Sequence, residues 1–282
     1  MEDARQLLAH FLSRYVDLYG AWVVRPEQAI PRQFDRASST QTQATMVQVD
    51  LFGNPISGDK PSSAYQSPYE CVESLIPEDS PLREMRTLEE VRAYLEQHIL
   101  VPIDKLRTHA VFGDGNPQAD LMVVGEAPGA EEDRQGKPFV GRAGQLLTKM
   151  LAAIGFRRED VYITNVVKSR PPANRDPLPE EIKAHIPILY KEIALVQPKI
   201  ILCLGRVAGN ALLGTNRPLK ALRGKLHDFC GLPVVVTYHP AALLRNPQWK
   251  RAAWEDLQLL KQKYEELTGH ASSSVPHSTD KP

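Results

Sequence analysis

Three polar residues stand where apolar runs give way to turns, each far from the others along the chain. Glu126 follows LMVVG and opens GEAPGAEED, Asn165 ends VYITN, and His239 follows VVVTY and precedes Pro240. A carboxylate, a carboxamide and an imidazole together supply charge stabilisation, two-way hydrogen bonding and hydrogen-bond donation. The glycine turn from Gly125 through Ala127 to Gly129 adds backbone amides that can hold a ligand oxygen. Each residue also has a plainer reading. Asn165 suits a strand–loop cap, His239 a satisfied histidine, and Glu126 a solvated acid beside a turn. The run Glu131, Glu132 and Asp133 suits the start of a helix, where acids favour the dipole.

For these groups to meet, the elements before them must run side by side. Four short apolar runs read as buried strands: LMVVG, VYITNV, KIILCLG and PVVVTYH. Helical patterns lie between and after them, at about 142–154, 180–196, 206–213 and 248–266, and Pro187 is expected to kink or split the second. Strands alternating with helices predict an α/β fold, a three-layer α/β/α sandwich around a central parallel four-stranded sheet. Ligands of such sheets bind outside the carboxyl ends of the strands, which is where the three polar residues fall.

The remainder divides unevenly. Residues 1–25 contain apolar residues at helical spacing (Leu7, Leu8, Phe11, Leu12, Tyr15, Val16) and read as an amphipathic helix. Residues 26–82, rich in Pro, Ser, Gln and Thr, read as a linker, giving a mostly disordered amino-terminal extension. Thr87 with Glu89 and Glu90 opens a helix that starts the main folded domain, 83–267, and 268–282 reads as a disordered tail. Lysine plus arginine (34) balances aspartate plus glutamate (34), so a nucleic-acid site would depend on local patches rather than a global basic field. The three cysteines, Cys71, Cys203 and Cys230, look too few and too scattered for a disulfide framework, which favours a reducing cytoplasm. No run approaches the roughly 20 apolar residues of a membrane span.

Three blocks carry a resemblance: GEAPGAEEDRQGKPFVGRAGQLL, VYITNVVKSRPPANRDPLPEE and YHPAALLRNP. In order and spacing they resemble the family 4 uracil-DNA glycosylases, over about residues 100–265. The resemblance implies an α/β/α sandwich that hydrolyses the bond between uracil and deoxyribose in DNA. It makes Phe139 the ring on which a flipped base stacks, with Gly125 and Ala127 as neighbours of the base. It makes Asn165 the uracil reader. One amide oxygen accepts from N3–H while its NH2 donates to O4, and cytosine presents the opposite pattern. It makes His239 the donor to the uracil O2 that gains charge, and Glu126 the carboxylate near a cation-like sugar. Glu132 and Asp133 are weaker candidates for that acid, and Phe139 has core packing as its rival reading. After His-Pro, Leu243, Leu244 or Arg245 would wedge into DNA. Lys168, Arg170 and Arg175, with Lys137 and Arg142, would meet phosphates. A monomer is expected.

One departure stands out. Family 4 members hold an iron–sulfur cluster on four cysteines. Aligned on FGDGNP and RPP, those positions fall on His98, Val101, Ser169 and His185. A four-thiolate cluster is therefore expected to be absent. His98 and His185 could share a metal, although packing roles suit them better. A second signal lies in the linker, where Gln48, Leu51 and Phe52 resemble the short motif that docks on the bacterial sliding clamp; the same residues could instead pack on the catalytic domain. Rival functions are a non-catalytic reader of damaged DNA, a glycosylase for another deaminated base such as hypoxanthine, and an unrelated nucleotide-binding α/β protein.

Overall fold

A computed structural model describes residue 65 and residues 67–269. The four apolar runs form β2 (Leu121–Gly125), β3 (Tyr162–Asn165), β4 (Ile200–Leu204) and β6 (Leu232–Thr237). Parallel pairing joins β3 to β2, β2 to β4, and β4 to β6. Alternate residues serve opposite faces. Met122, Val124, Ile201 and Cys203 meet one helical layer, while Leu121, Val123, Leu202 and Leu204 meet the other. The first layer includes α5 (Pro179–Val196), α6 (Arg206–Leu213) and the short α7 (Leu219–Leu222). The second includes α4 (Arg142–Ala153) and α9 (Lys250–Thr268). This is the expected sandwich.

The sheet has six strands rather than four, in the order β1-β3-β2-β4-β6-β5. The additions are antiparallel edges: β1 (Asp114–Gly115) on β3, and β5 (Leu226–Phe229) on β6. Neither edge carries an apolar run, because β1 has two residues and LHDF is largely exposed. Hydrophobic patterning therefore had nothing to register there.

Part of the expected linker is ordered. Pro68–Ser74 forms helix α1, capped by Ser67, and Pro81–Arg83 forms a 3-10 turn. Val72 joins the main core, and Ile76 and Leu82 pack with Val91, Leu95 and Ile188. Val91 and Leu95 belong to α2 (Leu88–Gln97), whose capping box is the expected Thr87–Glu90 pair. The cysteine expectation is also overturned. Cys71 of α1 is disulfide-bonded to Cys230, 159 residues away, across a Cα separation of 5.7 Å, and Cys203 stays free and buried. Distance in sequence had concealed proximity in space, and the cysteine argument for a reducing compartment falls with it. Pro187 does not split α5, which runs unbroken through it. The amphipathic stretch within residues 1–25, the clamp-like residues Gln48, Leu51 and Phe52, and residues 270–282 lie outside the described residues. Among the described residues no helix is long and apolar enough to cross a membrane.

Candidate active site

The carboxyl ends of β2, β3 and β6 open onto a cavity of about 330 Å³ lined by Glu126, Ala127, Phe139, Asn165, His239 and Arg245, among others. Three sequence-distant polar residues thus share one pocket, as the strand-end argument requires.

Asn165 closes β3, opposite Gly125 in register, and is 1% exposed. Its Oδ1 is the one buried side-chain polar atom among the described residues that lacks a hydrogen-bond partner. A capping asparagine would spend that oxygen on the backbone, so the capping reading fails. An orphaned acceptor in a cavity is instead an acceptor awaiting a donor. Gly125 makes room for it. A Cβ there would lie 2.3 Å from Asn165 Oδ1 and 2.5 Å from Phe139 Cζ.

Phe139 is 6% exposed and packs with the core, yet it also lines the cavity, so core and platform readings both hold. Its φ of +52° is unusual for an aromatic residue. Two features hold that backbone. Glu132, in helix α3 (Ala130–Gln135), accepts the N–H groups of Gly129, Val140 and Gly141 at 3.2, 3.0 and 2.9 Å. Gly144 of α4 lets the turn approach, since a Cβ there would sit 1.8 Å from the Phe139 carbonyl oxygen. Glu132 is thereby the brace between the two glycine-rich turns. Asp133 accepts the Thr108 N–H and hydroxyl at 2.9 Å each. Both acids are structural.

Glu126 is half-buried, and its carboxyl is pushed up to about 7. Burial is the main cause and the Asp176 carboxylate adds to it, against the opposing charges of Arg206 and Arg245. Asp176 and Arg206 form an ion pair at 3.2 Å, and Asp176 lines the cavity. Sequence reading passed over both, although Asp176 stands inside the quoted RPPANRDP block.

His239 caps helix α8 (Pro240–Arg245), its Nδ1 accepting the Ala241 N–H at 3.2 Å. Burial, then Arg245, lowers its imidazole to about 4. The ring is neutral at pH 7, and with Nδ1 engaged its proton lies on Nε2, available as a donor. Its ring centre lies 5.6 Å from that of Phe139. Behind it, Thr237 donates to Asp256 of α9 at 2.7 Å, which fixes where β6 ends.

The basic residues separate. Lys168 is fully buried and ion-paired with Glu192, so it is not a phosphate contact, contrary to expectation. Arg175 lines the cavity but is held by Glu181 through two hydrogen bonds of 2.8 and 2.6 Å. Arg170 donates to Asn174 at 2.8 Å, and Lys137 lies 3.8 Å from Asp114. Arg142 and Arg245 are exposed. Leu243 is 2% exposed and belongs to the core, whereas Leu244 is 39% exposed and Arg245 is exposed at the cavity, which leaves Leu244 and Arg245 as the wedge candidates. His98 is exposed and stacks on Tyr94, while His185 is buried. No group of three or more metal-ligating side chains converges among the described residues.

Comparison with known proteins points the same way. The Uracil DNA glycosylase superfamily matches residues 112–258, just over half of the chain. The chain is 42% identical over 185 residues to a type-4 uracil-DNA glycosylase of Thermotoga maritima, covering 63% of this chain and 96% of that one. It is 45% identical over 166 residues to a type-4 enzyme of Pyrobaculum aerophilum (56% and 85% covered). It is 43% identical over 164 residues to one of Archaeoglobus fulgidus (55% and 82% covered).

Proposed function

The chain belongs to the uracil DNA glycosylase superfamily, and from that premise we propose that its cavity receives a uracil flipped out of DNA and hydrolyses the bond joining it to deoxyribose. The observation that carries this reading is the orphaned Asn165 Oδ1 beside Gly125 and Phe139. Uracil N3–H supplies the missing donor, and the Asn165 NH2 reaches O4. Cytosine would set its unprotonated N3 against that oxygen and its amino group against the NH2.

Flipping costs a few kcal/mol. Stacking on Phe139 returns about 1–3 kcal/mol, and Leu244 fills the space the base leaves. As the N1–C1′ bond breaks, its electron pair stays on uracil and charge gathers on O2. The neutral His239 donates from Nε2 to that oxygen, an interaction stronger in the transition state than in the ground state. The cation-like sugar faces Glu126. Its carboxylate stabilises the developing charge and orients water, whose oxygen bonds to C1′ while its proton passes to the carboxylate. A carboxyl held near 7 is poised for that exchange at neutral pH, and this tuning favours turnover over passive binding. Arg142, Arg170 and Arg245 supply the local positive charge for the DNA backbone.

The clamp-like segment belongs to the same proposal: Gln48, Leu51 and Phe52 dock on a sliding clamp and bring a monomeric enzyme to replicating DNA. Clamp capture that is lost in Leu51→Ala with Phe52→Ala supports this, and no capture by the wild-type chain rejects it. The catalytic reading is tested with an end-labelled duplex carrying one uracil and treated with alkali after incubation. Wild type should break the strand at uracil, and His239→Ala should slow breakage by about a hundredfold or more. An intact strand with bound, folded wild type would instead make the protein a reader of DNA.

A further inference from the structure

The four positions that the resemblance assigns to cluster cysteines hold one imidazole each at 98 and 185, an aliphatic at 101 and a hydroxyl at 169. That set does not fit a four-thiolate cluster. Three of the four positions nevertheless meet a single carboxylate, and the fourth, His98, is tied to it only through its backbone carbonyl and Arg107. Asp104, 2% exposed in the 3-10 turn Pro102–Lys105, accepts the N–H groups of Leu100 and Val101 on Oδ2, at 2.7 and 3.1 Å. Its Oδ1 accepts the Ser169 hydroxyl at 2.5 Å and lies 3.1 Å from His185 Nε2. Arg107 closes the group. It lies 3.6 Å from Asp104, donates to Ser169 Oγ at 3.2 Å, and donates to the His98 carbonyl at 3.2 Å.

The network does not stop there. His185 Nδ1 accepts the Lys168 N–H at 2.7 Å, so a neutral ring with its proton on Nε2 serves Lys168 and Asp104 at once. Lys168 is pinned at three points. Its N–H goes to His185, its carbonyl accepts the Val111 N–H at 2.9 Å, and its Nζ donates to the Asn165 carbonyl at 2.6 Å while ion-paired with Glu192. Glu192 is itself held by Tyr162 and by the Gly113 N–H at 3.0 Å each.

We propose that Asp104, His185 and Lys168 form a metal-free relay that takes the place of the iron–sulfur cluster and sets the backbone of Asn165 for reading uracil. Four covalent bonds to a cluster would tie the 98–101 segment, residue 169 and α5 together; here a buried carboxylate ties the same segments through hydrogen bonds. A fully satisfied buried network of this kind specifies one arrangement, and a reader displaced by about 1 Å can cost a hundredfold in rate. These three are positioning residues, because none of them lines the cavity.

The inference rests on Asn165 being the reader, so Asn165→Ala accompanies every measurement. The full-length chain, purified without added metal, is assayed for iron and for single-turnover excision at saturating enzyme. The expected results are substoichiometric iron and, for His185→Leu, a saturating rate lower by about tenfold to a hundredfold at a half-saturating concentration within about twofold of wild type. His185→Gln should recover the rate, since its amide oxygen can accept from Lys168 N–H and its NH2 can donate to Asp104. Stoichiometric iron in the wild type overturns the proposal. So does a folded His185→Leu with the wild-type rate, or a folded His185→Gln as slow as His185→Leu. If His185→Leu does not fold, His185→Gln decides: wild-type rate supports the relay, and loss of rate or of folding rejects it. Full activity in Asn165→Ala would show that the reader assignment had failed rather than the relay.

Discussion

The acid that faces the sugar should set the pH profile. Glu126 titrates at about 7 in this pocket, so its ionised fraction is about one eleventh at pH 6, one half at pH 7 and ten elevenths at pH 8. If the carboxylate is the active form, single-turnover uracil excision rises about tenfold between pH 6 and pH 8. His239 adds no limb in that range, because its ring stays neutral above about 4. The causes of the Glu126 shift supply the control. Burial leads, and the Asp176 carboxylate is the next contribution that raises it. Asp176→Asn removes that charge and releases Arg206 from its 3.2 Å pairing. Both changes favour the ionised form, so the limb should move to lower pH and the rate at pH 6 should rise towards that at pH 8. Arg245→Met should move it the other way. The assay is rapid-quench excision under enzyme excess across pH 5.5 to 8.5, an interval of about three units around the expected midpoint. A flat profile between pH 6 and 8, or an upward move of the limb in Asp176→Asn, would refute the assignment.

Gly125→Ala places a methyl 2.3 Å from Asn165 Oδ1; excision should fall at least about a hundredfold, measured beside a melting curve that registers only the overpacking cost of about 1–3 kcal/mol. Leu243→Ala should destabilise the fold by about 2–5 kcal/mol in denaturant titration. Leu244→Ala should leave stability unchanged and slow excision more on duplex than on single-stranded DNA. Peptide mapping without reductant should recover the Cys71–Cys230 link, and Cys71→Ser should lower stability by about 2–4 kcal/mol. Neutral His239 also carries a stability signature. Its folded pKa lies below the unfolded value near 6.5, so the unfolded chain binds the proton first and stability is lost as pH falls from about 6.5 towards 4; acid titration of the melting temperature in His239→Gln should be shallower there.

The parts of this molecule that were legible in the sequence are those where local pattern and global role coincide. Fully buried strands such as LMVVG and IILCL advertise themselves as apolar runs, and topology places the residues at their carboxyl ends. Asn165, His239 and Glu126 could therefore be brought together from the sequence. Features that depend on tertiary pairing were not legible. Strand β5 reads LHDF because only one of its neighbours is a strand, and α1 is a seven-residue helix stabilised by burial of Val72 rather than by a periodic face. Lys168 shows the limit for charge. A lysine two residues before an arginine in a loop block suggests phosphate, but only the fold reveals Glu192 waiting beneath it. The acids Glu132 and Asp133 likewise resolve into braces once their backbone partners are visible.

Asn165 reads uracil, on this reasoning, with an acceptor that the protein leaves open, and base release probes that role without intermediaries. Oligonucleotides carrying one uracil, hypoxanthine or mismatched cytosine are incubated with the wild type and with Asn165→Ala, and free bases are quantified by mass spectrometry. Free uracil is expected from the wild type, with little or no cytosine or hypoxanthine, and uracil release should be lost in Asn165→Ala. Equal release of uracil by both proteins, or release of cytosine by the wild type, would contradict that role.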